Sequence, residues 1–423
     1  MIYFKKTILC LKVGLGKTLC ALAAATTLNK EKILIICPNN LKYQWKNEIE
    51  RFELGSYLII DSAKDLKKRN DQKFLILSYE MLNHNPSIAD EEFDILIADE
   101  IQKIKNPDSV SWKSMSTIKS EFTFTLSGTP IQNHITDILS VINFLNPNEF
   151  KPLWKFYYQY CNYSKAKVLG LKNSMIPQFR ERIDRYIINP KIASSHEMPT
   201  ENQHYMVCTL DDDSRKEHNY YLDMARPLLA KAFTAPLSFD EKARLNRYLT
   251  MARIASTDSR LINTANNKSN RFESIENKIL DLTRDGKKVV VFSEWIKATD
   301  LLHEFLEESG IDYVEFNSKL PSKKKDYNLN KFIHDENCMV FLSTDSGGTG
   351  IDGLQYAAHN MIHIEKAWNP FKLKQRNGRL VRSLQENHEV DIWNFYCESE
   401  IESMIEDSNV RKNILVNDVM SFI

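Results

Sequence analysis

One short stretch, Val13-Gly14-Leu15-Gly16-Lys17-Thr18, limits what this chain can fold into more than any other. The apolar run from Thr7 to Leu11 precedes it and reads as a strand. The Ala-rich run from Leu19 to Leu28 follows and reads as a buried helix. Strand, glycine loop and helix in that order build a phosphate cradle, because backbone N–H groups turn inward where a Cβ would obstruct them. In such a loop Gly14, Leu15 and Gly16 line the phosphates of a nucleotide and Lys17 sets a charge on the β- and γ-phosphates. Thr18 offers its hydroxyl to Mg²⁺. The full pattern asks for another glycine at position 11, where the chain has Leu11. A glycine turn before an ordinary helix is the plainer alternative, so the loop needs companions.

The next segments supply them. Lys32 to Cys37, Phe74 to Leu77 and Phe93 to Ala98 are continuous apolar runs, as expected of strands buried on both faces in a parallel sheet. A helix is expected from Leu41 to Phe52, capped by Asn39 or Asn40. Ligands of such α/β domains sit at the carboxyl ends of the strands, where Lys17 and Asp99 both fall. An acidic pair directly after a buried strand is costly without work to do. Asp99 suits Mg²⁺, held through water, and Glu100 suits the base that orients and deprotonates an attacking water. A solvated strand-end turn is the alternative. Phe122 to Leu126 is a further strand, running into Ser127-Gly128-Thr129-Pro130, whose hydroxyls can pass information between the nucleotide and another ligand.

With these motifs in order, the chain resembles the Swi/Snf family of DNA-dependent ATPases within helicase superfamily two. The resemblance rests on Gly14 to Thr18, Cys37-Pro38 with Trp45, Ser78-Tyr79-Glu80, Asp99-Glu100-Ile101-Gln102-Lys103-Ile104-Lys105-Asn106, and Leu126 to Asn133. Further on it rests on Lys287 to Ser293 with Glu294-Trp295, on Ser343 to Asp352, on Trp368-Asn369-Pro370, and on Gln375-Arg376-Asn377-Gly378-Arg379-Leu380-Val381-Arg382. It implies catalytic roles for Lys17, Glu100, Arg379 and Arg382, the two arginines reaching the γ-phosphate from a shared face at a helix start. It implies nucleotide contacts from the loop and from Gln102, Gly350 and Asp352. It implies DNA contacts from Ser78, Tyr79, Ser127, Gly128, Thr129, Lys324, Thr344, Gly347, Gly348 and Trp368.

Departures from the family pattern are visible. Ile188-Asn189-Pro190 stands where two arginines are usual, Asn317-Ser318 where a glycine is usual, and Gly353 is one residue extra. Only thirteen residues precede Gly14 and none is glutamine, so no adenine-reading segment of superfamily two is seen there and weak base discrimination is expected; the alternative is a truncated start or a partner that supplies the segment. Trp154 to Tyr163 reads as a helical core stripe, with a base-stacking platform as the alternative. Lys323-Lys324-Lys325 reads either as a solvated face or as a backbone grip. Asp211-Asp212-Asp213 reads as a helix start. His359 and His363 are four apart, but they fall in a strand, which splits a zinc-like spacing. No zinc site is expected.

Composition bounds the rest. Lys plus Arg and Asp plus Glu both number 56, so no global field draws the 423 residues onto nucleic acid, and any DNA surface must be a local face. No apolar run approaches a membrane span, and no membrane partner is expected. Seven scattered cysteines without a Cys-x-x-Cys pair read as reduced thiols. The location expected is cytoplasmic, with a phage or bacterial origin, or nuclear in a eukaryote. The fold expected is α/β: two RecA-like, doubly wound parallel-sheet lobes with a helical insertion between them. The divisions expected are 1–149 and 271–397 for the lobes, 150–270 for the insertion and 398–423 for a closing helix that packs back across the first lobe. The function expected is a monomeric, ATP- and Mg²⁺-using translocase on double-stranded DNA that displaces DNA-bound protein. The alternatives are a strand-separating DNA or RNA helicase and an ATPase-deficient DNA-binding scaffold.

Overall fold

Continuous apolar runs become strands buried on both faces. Ile33–Cys37 and Phe74–Ser78 are buried at every position, so they need helices above and below, which the alternation of β and α elements provides. The computed structural model describes residues 1–11, 15–128, 135–164, 167–189, 198–345, 351–382 and 385–420. It divides into two units, Met1–Ala193 with Arg411–Ile423, and Ser194–Val410.

The first unit is built on β1 (Lys6–Cys10), β2 (Ile33–Cys37), β3 (Tyr57–Ile60), β4 (Phe74–Ser78), β5 (Glu92–Ala98) and β6 (Lys119–Ser127). An antiparallel hairpin follows, β7 (Cys161–Ser164) with β8 (Lys167–Leu171), and then the two-residue β9 (Ile187–Ile188). The sheet runs β3-β4-β2-β5-β6-β1-β9 with every described pair parallel. One core fills each face, around Leu34, Leu96 and Ile142 on one side and Ile35, Trp45 and Ile97 on the other. Leu153–Tyr160 is a helix whose Phe156 and Tyr160 stack at 4.9 Å and pack on Phe179, while Trp154 and Tyr158 are exposed. Part of that aromatic run is therefore core stripe and part is surface.

The second unit is built on β10 (Thr200–Cys208), β11 (Val289–Ser293), β12 (Asp312–Phe316), β13 (Cys338–Thr344), β14 (Asn360–His363) and β15 (Glu389–Cys397). Its order is β10-β15-β14-β11-β13-β12, again all parallel. Between β10 and β11 the chain inserts the helices Asp212–Thr234 and Phe239–Thr257, which pack on each other. Asp211 caps the first by accepting from Ser214 N at 2.9 Å, and Ser238 and Glu241 close a reciprocal cap on the second.

Two expectations change. The boundaries at 149 and 270 do not coincide with the units, because β9 belongs to the first sheet and β10 to the second. Nor does Asn39 or Asn40 cap the helix after β2. Both lie in a 3₁₀ turn, Asn39–Leu41, and the helix Lys42–Arg51 starts from Leu41 with no side-chain cap.

Candidate active site

The register of the first sheet brings its motifs to one edge. Cys10 stands beside Ser127, Ala98 beside Thr125 and Ile36, and Cys37 beside Ser78. The segments leaving β1, β5 and β6 are therefore neighbours at the carboxyl end of the sheet.

Gly16 precedes the helix Lys17–Thr27 with φ 75°. A Cβ there would have room, the nearest atom being Leu19 Cβ at 4.0 Å. The glycine is required by its left-handed backbone rather than by space. Lys17 Nζ donates to the carbonyl of Leu11 at 3.1 Å, so the ammonium reaches back across the loop. Its charge is also felt at Asp99.

Asp99 is only 6% exposed. Trp45 Nε1–H donates to its Oδ2 at 3.1 Å, the Glu100 amide donates to Oδ1 at 2.9 Å, and the Tyr79 hydroxyl donates to its carbonyl at 2.7 Å. Trp45 comes from the helix after β2 and Tyr79 from the helix after β4, so two neighbouring strands hold this one residue. Burial pushes the Asp99 carboxyl up to about 7, and the charge of Glu100 pushes the same way; Lys17 and Trp45 hold it back. Glu100 has φ 50°, a left-handed conformation costly for a residue with a side chain and typical of functional positions. Gln102 bridges inward from it. Its Nε2 donates to Glu100 Oε2, and its Oε1 accepts from Ser127 Oγ at 2.7 Å. A hydrogen-bonded line thus runs from the acidic pair to the end of β6.

The second unit carries its own charged cluster. Arg376 is buried, donating to Asp345 Oδ1 at 2.6 Å and to Glu365 Oε1 at 3.4 Å. Glu294 accepts from Arg253 at 2.7 Å and from Lys372 at 2.7 Å. Burial opposes the charge on Glu294, but Arg253 and Lys372 outweigh it and hold the carboxyl at about 2. Arg382 pairs with Asp352 Oδ1 at 2.8 Å, and Arg379 donates to the carbonyl of Ile351 at 3.1 Å. Two basic side chains so converge on the segment 351–352.

With this geometry in hand, the comparisons decide the family. A model described as the SNF2-related domain matches residues 4–289, and one described as the helicase conserved C-terminal domain matches 270–383. This chain belongs to the SNF2-related family. Its two sheets are the RecA-like, ATP-binding core of those helicase-type ATP hydrolases. A Bacillus subtilis protein named as an uncharacterized ATP-dependent helicase is 26% identical over 95% of this chain and 73% of its own length. A Mycoplasma genitalium protein named likewise is 24% identical over 97% of this chain, which spans 40% of that relative. A Caenorhabditis elegans chromodomain-helicase-DNA-binding protein 3 homolog is 23% identical over 97% of this chain, which spans 25% of that relative. A solved Sulfolobus solfataricus SWI2/SNF2 ATPase core, described as in complex with dsDNA, aligns over 98% of this chain and 88% of its own at 20% identity, with a TM-score of 0.43. At that score the superposition fixes no residue's role.

Within the SNF2-related core, several expected contacts move. Ser78 is buried and caps the helix Tyr79–His84 by accepting from Met81 N at 3.1 Å. Tyr79, Ser127 and Thr344 are buried as well. Tyr79 braces the Asp99 carbonyl and Ser127 the Gln102 amide. Trp368 is half-buried against Leu222, Ala252, Ile401 and Ile405, whereas Lys324 is exposed over the Tyr327 ring. Gly14, Thr129, Gly347, Gly348 and Gly350 lie outside the described residues; Gly128 is described and half-buried. Arg379 and Arg382 are not at a helix start. The helix Pro370–Asn377 ends at Gly378, and both arginines follow in a turn. Gly353 has φ 103°, a left-handed backbone that favours glycine at this position. Sequence reasoning gave no role to Trp45 and missed the organising part of Arg253 and Arg376. Trp45 and Arg376 lie inside quoted motifs; nothing in the sequence singles out Arg253. Lys105 and Asn106, at the end of the motif that begins with Asp99, and the following Pro107 line a cavity of about 500 Å³ with Asp137, Asn143 and Lys412.

Proposed function

We propose that this chain is an ATP-driven translocase on double-stranded DNA that remodels or displaces DNA-bound protein. The observation that carries the reading is the line Lys17, Asp99, Glu100, Gln102, Ser127 at one sheet edge. Hydrogen bonds join the acidic pair through Gln102 to the end of β6, and Lys17 stands near enough for its charge to reach Asp99. The family match supports ATP use. The donor set also fits Mg²⁺. Thr18 and Asp99 offer the oxygen ligands that a hard cation takes, and a cation beside Asp99 would favour the charged form that burial and Glu100 oppose. A bound Mg²⁺ would neutralise charge on the β- and γ-phosphates. Lys17 exchanges the Leu11 carbonyl for phosphate oxygens. Glu100, held by Gln102, takes a proton from the attacking water. Arg379 and Arg382 stabilise the charge that develops on the γ-phosphate. Gln102 and Ser127 carry the state of Glu100 to β6.

Hydrolysis of ATP measured without nucleic acid and with single strands, duplex DNA and RNA tests the reading, with triplex displacement beside an unwinding assay. Stimulation by duplex and displacement of a third strand without strand separation are expected. Unwinding would favour the strand-separating helicase. Absence of turnover under every condition would favour the DNA-binding scaffold.

A further inference from the structure

One constellation is used by none of this. On the helix Ile296–Glu308 of the second unit, Asp300 and His303 are three residues apart and share a face. Glu315 lies on β12, against which that helix packs. One ligand atom from each of the three lies within 4.8 Å of the other two. His303 Nε2 and Glu315 Oε1 face each other as an ion pair. Both atoms are buried and each has the other as its partner. The pairing brings a nitrogen and an oxygen, each able to give a lone pair when the imidazole is neutral, to one place. Tyr313 stacks on the imidazole with ring centroids 5.3 Å apart, which fixes the ring plane. Asp300 is exposed and leaves an approach from solvent.

We propose that Asp300, His303 and Glu315 bind a first-row divalent transition metal ion of the zinc type. One imidazole and two carboxylates are a common donor set for such ions, whose ligand bonds are roughly 2.0–2.2 Å. Two ligands of one such ion stand about 3 Å apart, so a small side-chain rotation opens the His303–Glu315 contact to admit the ion while Asp300 closes on it. The two carboxylates balance its charge with the imidazole neutral. The imidazole selects against Mg²⁺ and Ca²⁺, which take all-oxygen sets. Three ligands leave coordination positions for water. The ion joins a helix to its strand, so its effect is on stability rather than on nucleotide chemistry. Sequence spacing hid it, because the ligands come from two elements and no His or Cys pair repeats.

The test is titration of the full chain with Co²⁺ and then Zn²⁺, in excess Mg²⁺ so that the nucleotide site does not compete. One equivalent of Co²⁺ is expected to give visible ligand-field bands without a thiolate charge-transfer band, and Zn²⁺ is expected to displace it. Asp300→Asn and His303→Gln are each expected to weaken binding at least about tenfold. Zn²⁺ is expected to raise the thermal midpoint of the wild type and of neither variant. Asp300 is exposed, so its variant keeps the fold in any case. No Co²⁺ signal up to millimolar ion, a thiolate band, or equal affinity in wild type and Asp300→Asn would overturn the proposal.

Discussion

Under the function proposed above, Glu100 is the residue on which the chemistry turns. Its neighbour Asp99 has both carboxylate oxygens engaged by Trp45 and the Glu100 amide, whereas the Glu100 carboxylate is steadied by Gln102. Glu100→Gln keeps the shape and loses the base. It should leave nucleotide binding intact and lower kcat by on the order of 10²-fold or more, read by single-turnover hydrolysis beside a binding titration. Wild-type turnover in that variant would remove Glu100 from the mechanism. Arg382→Ala should lower kcat by roughly 10³-fold with little loss of DNA affinity. Collapse of DNA binding with unchanged turnover per complex would show that the arginine serves DNA instead. His363 allows a pH prediction. Burial holds it neutral in the folded state, with Arg376 beside it, and lowers its pKa from 6.5 to about 3. A group whose charged form the fold rejects binds its proton in the unfolded state first, so stability falls as pH drops below 6.5 and the loss ends near 3. By pH 5 the cost is about 2 kcal/mol. His363 Nε2 pairs with Asn377 Oδ1 at 2.8 Å, a donation that a glutamine amide can replace. His363→Gln should therefore lose less stability than the wild type between pH 7 and pH 5 in denaturant titrations. Equal losses would show that His363 does not titrate in this range.

At the scale of elements, strands that are apolar on both faces could be read directly from the sequence. Ile33–Cys37 and Val289–Ser293 are uniformly buried, and their runs have no polar gap. β10 was hidden because it is an edge strand with alternating exposure and a polar sequence, Thr-Glu-Asn-Gln-His, that falls within a stretch otherwise helical. β9 is two residues long and carries too little pattern to find. The turn holding Arg379 and Arg382 was hidden because helix formers continue past Gly378, where the helix stops. The placing of Lys17 and of the acidic pair after strands of one sheet was legible because a phosphate- and metal-binding chemistry asks for those residue types at strand ends. Their braces were not, because Trp45 and Tyr79 belong to other strands and meet Asp99 only in the folded sheet. Tyr79→Phe isolates one brace. It removes a single hydrogen bond to the Asp99 carbonyl and keeps the buried ring. The expected cost is about 1 kcal/mol in unfolding free energy, with a several-fold drop in kcat and an unchanged KM for ATP, since the phosphate contacts stay. A fall in ATP affinity with unchanged kcat would mean that Tyr79 supports the loop rather than the acidic pair.

For the whole molecule, charge decides how DNA can be held under the function proposed above. Positive and negative side chains balance at 56 each, so attraction at long range is weak and binding rests on a local set of phosphate contacts. The set is small. On the helix Ser322–His334, Lys323 and Lys324 are exposed, Lys325 is half-buried and Lys331 is paired with Asp312 at 2.6 Å. Each phosphate neutralised releases counterions and adds about −0.9 to the slope of log K against log salt. A handful of contacts predicts a slope of about −3 to −6 and little preference among sequences, because phosphates carry no sequence information. Fluorescence anisotropy with one labelled duplex across a salt series measures the slope, and a second duplex of different sequence measures the preference. Lys324→Ala should make the slope shallower by about one and weaken both duplexes equally. A wild-type slope near zero, or a strong preference for one duplex, would contradict a motor that tracks phosphates.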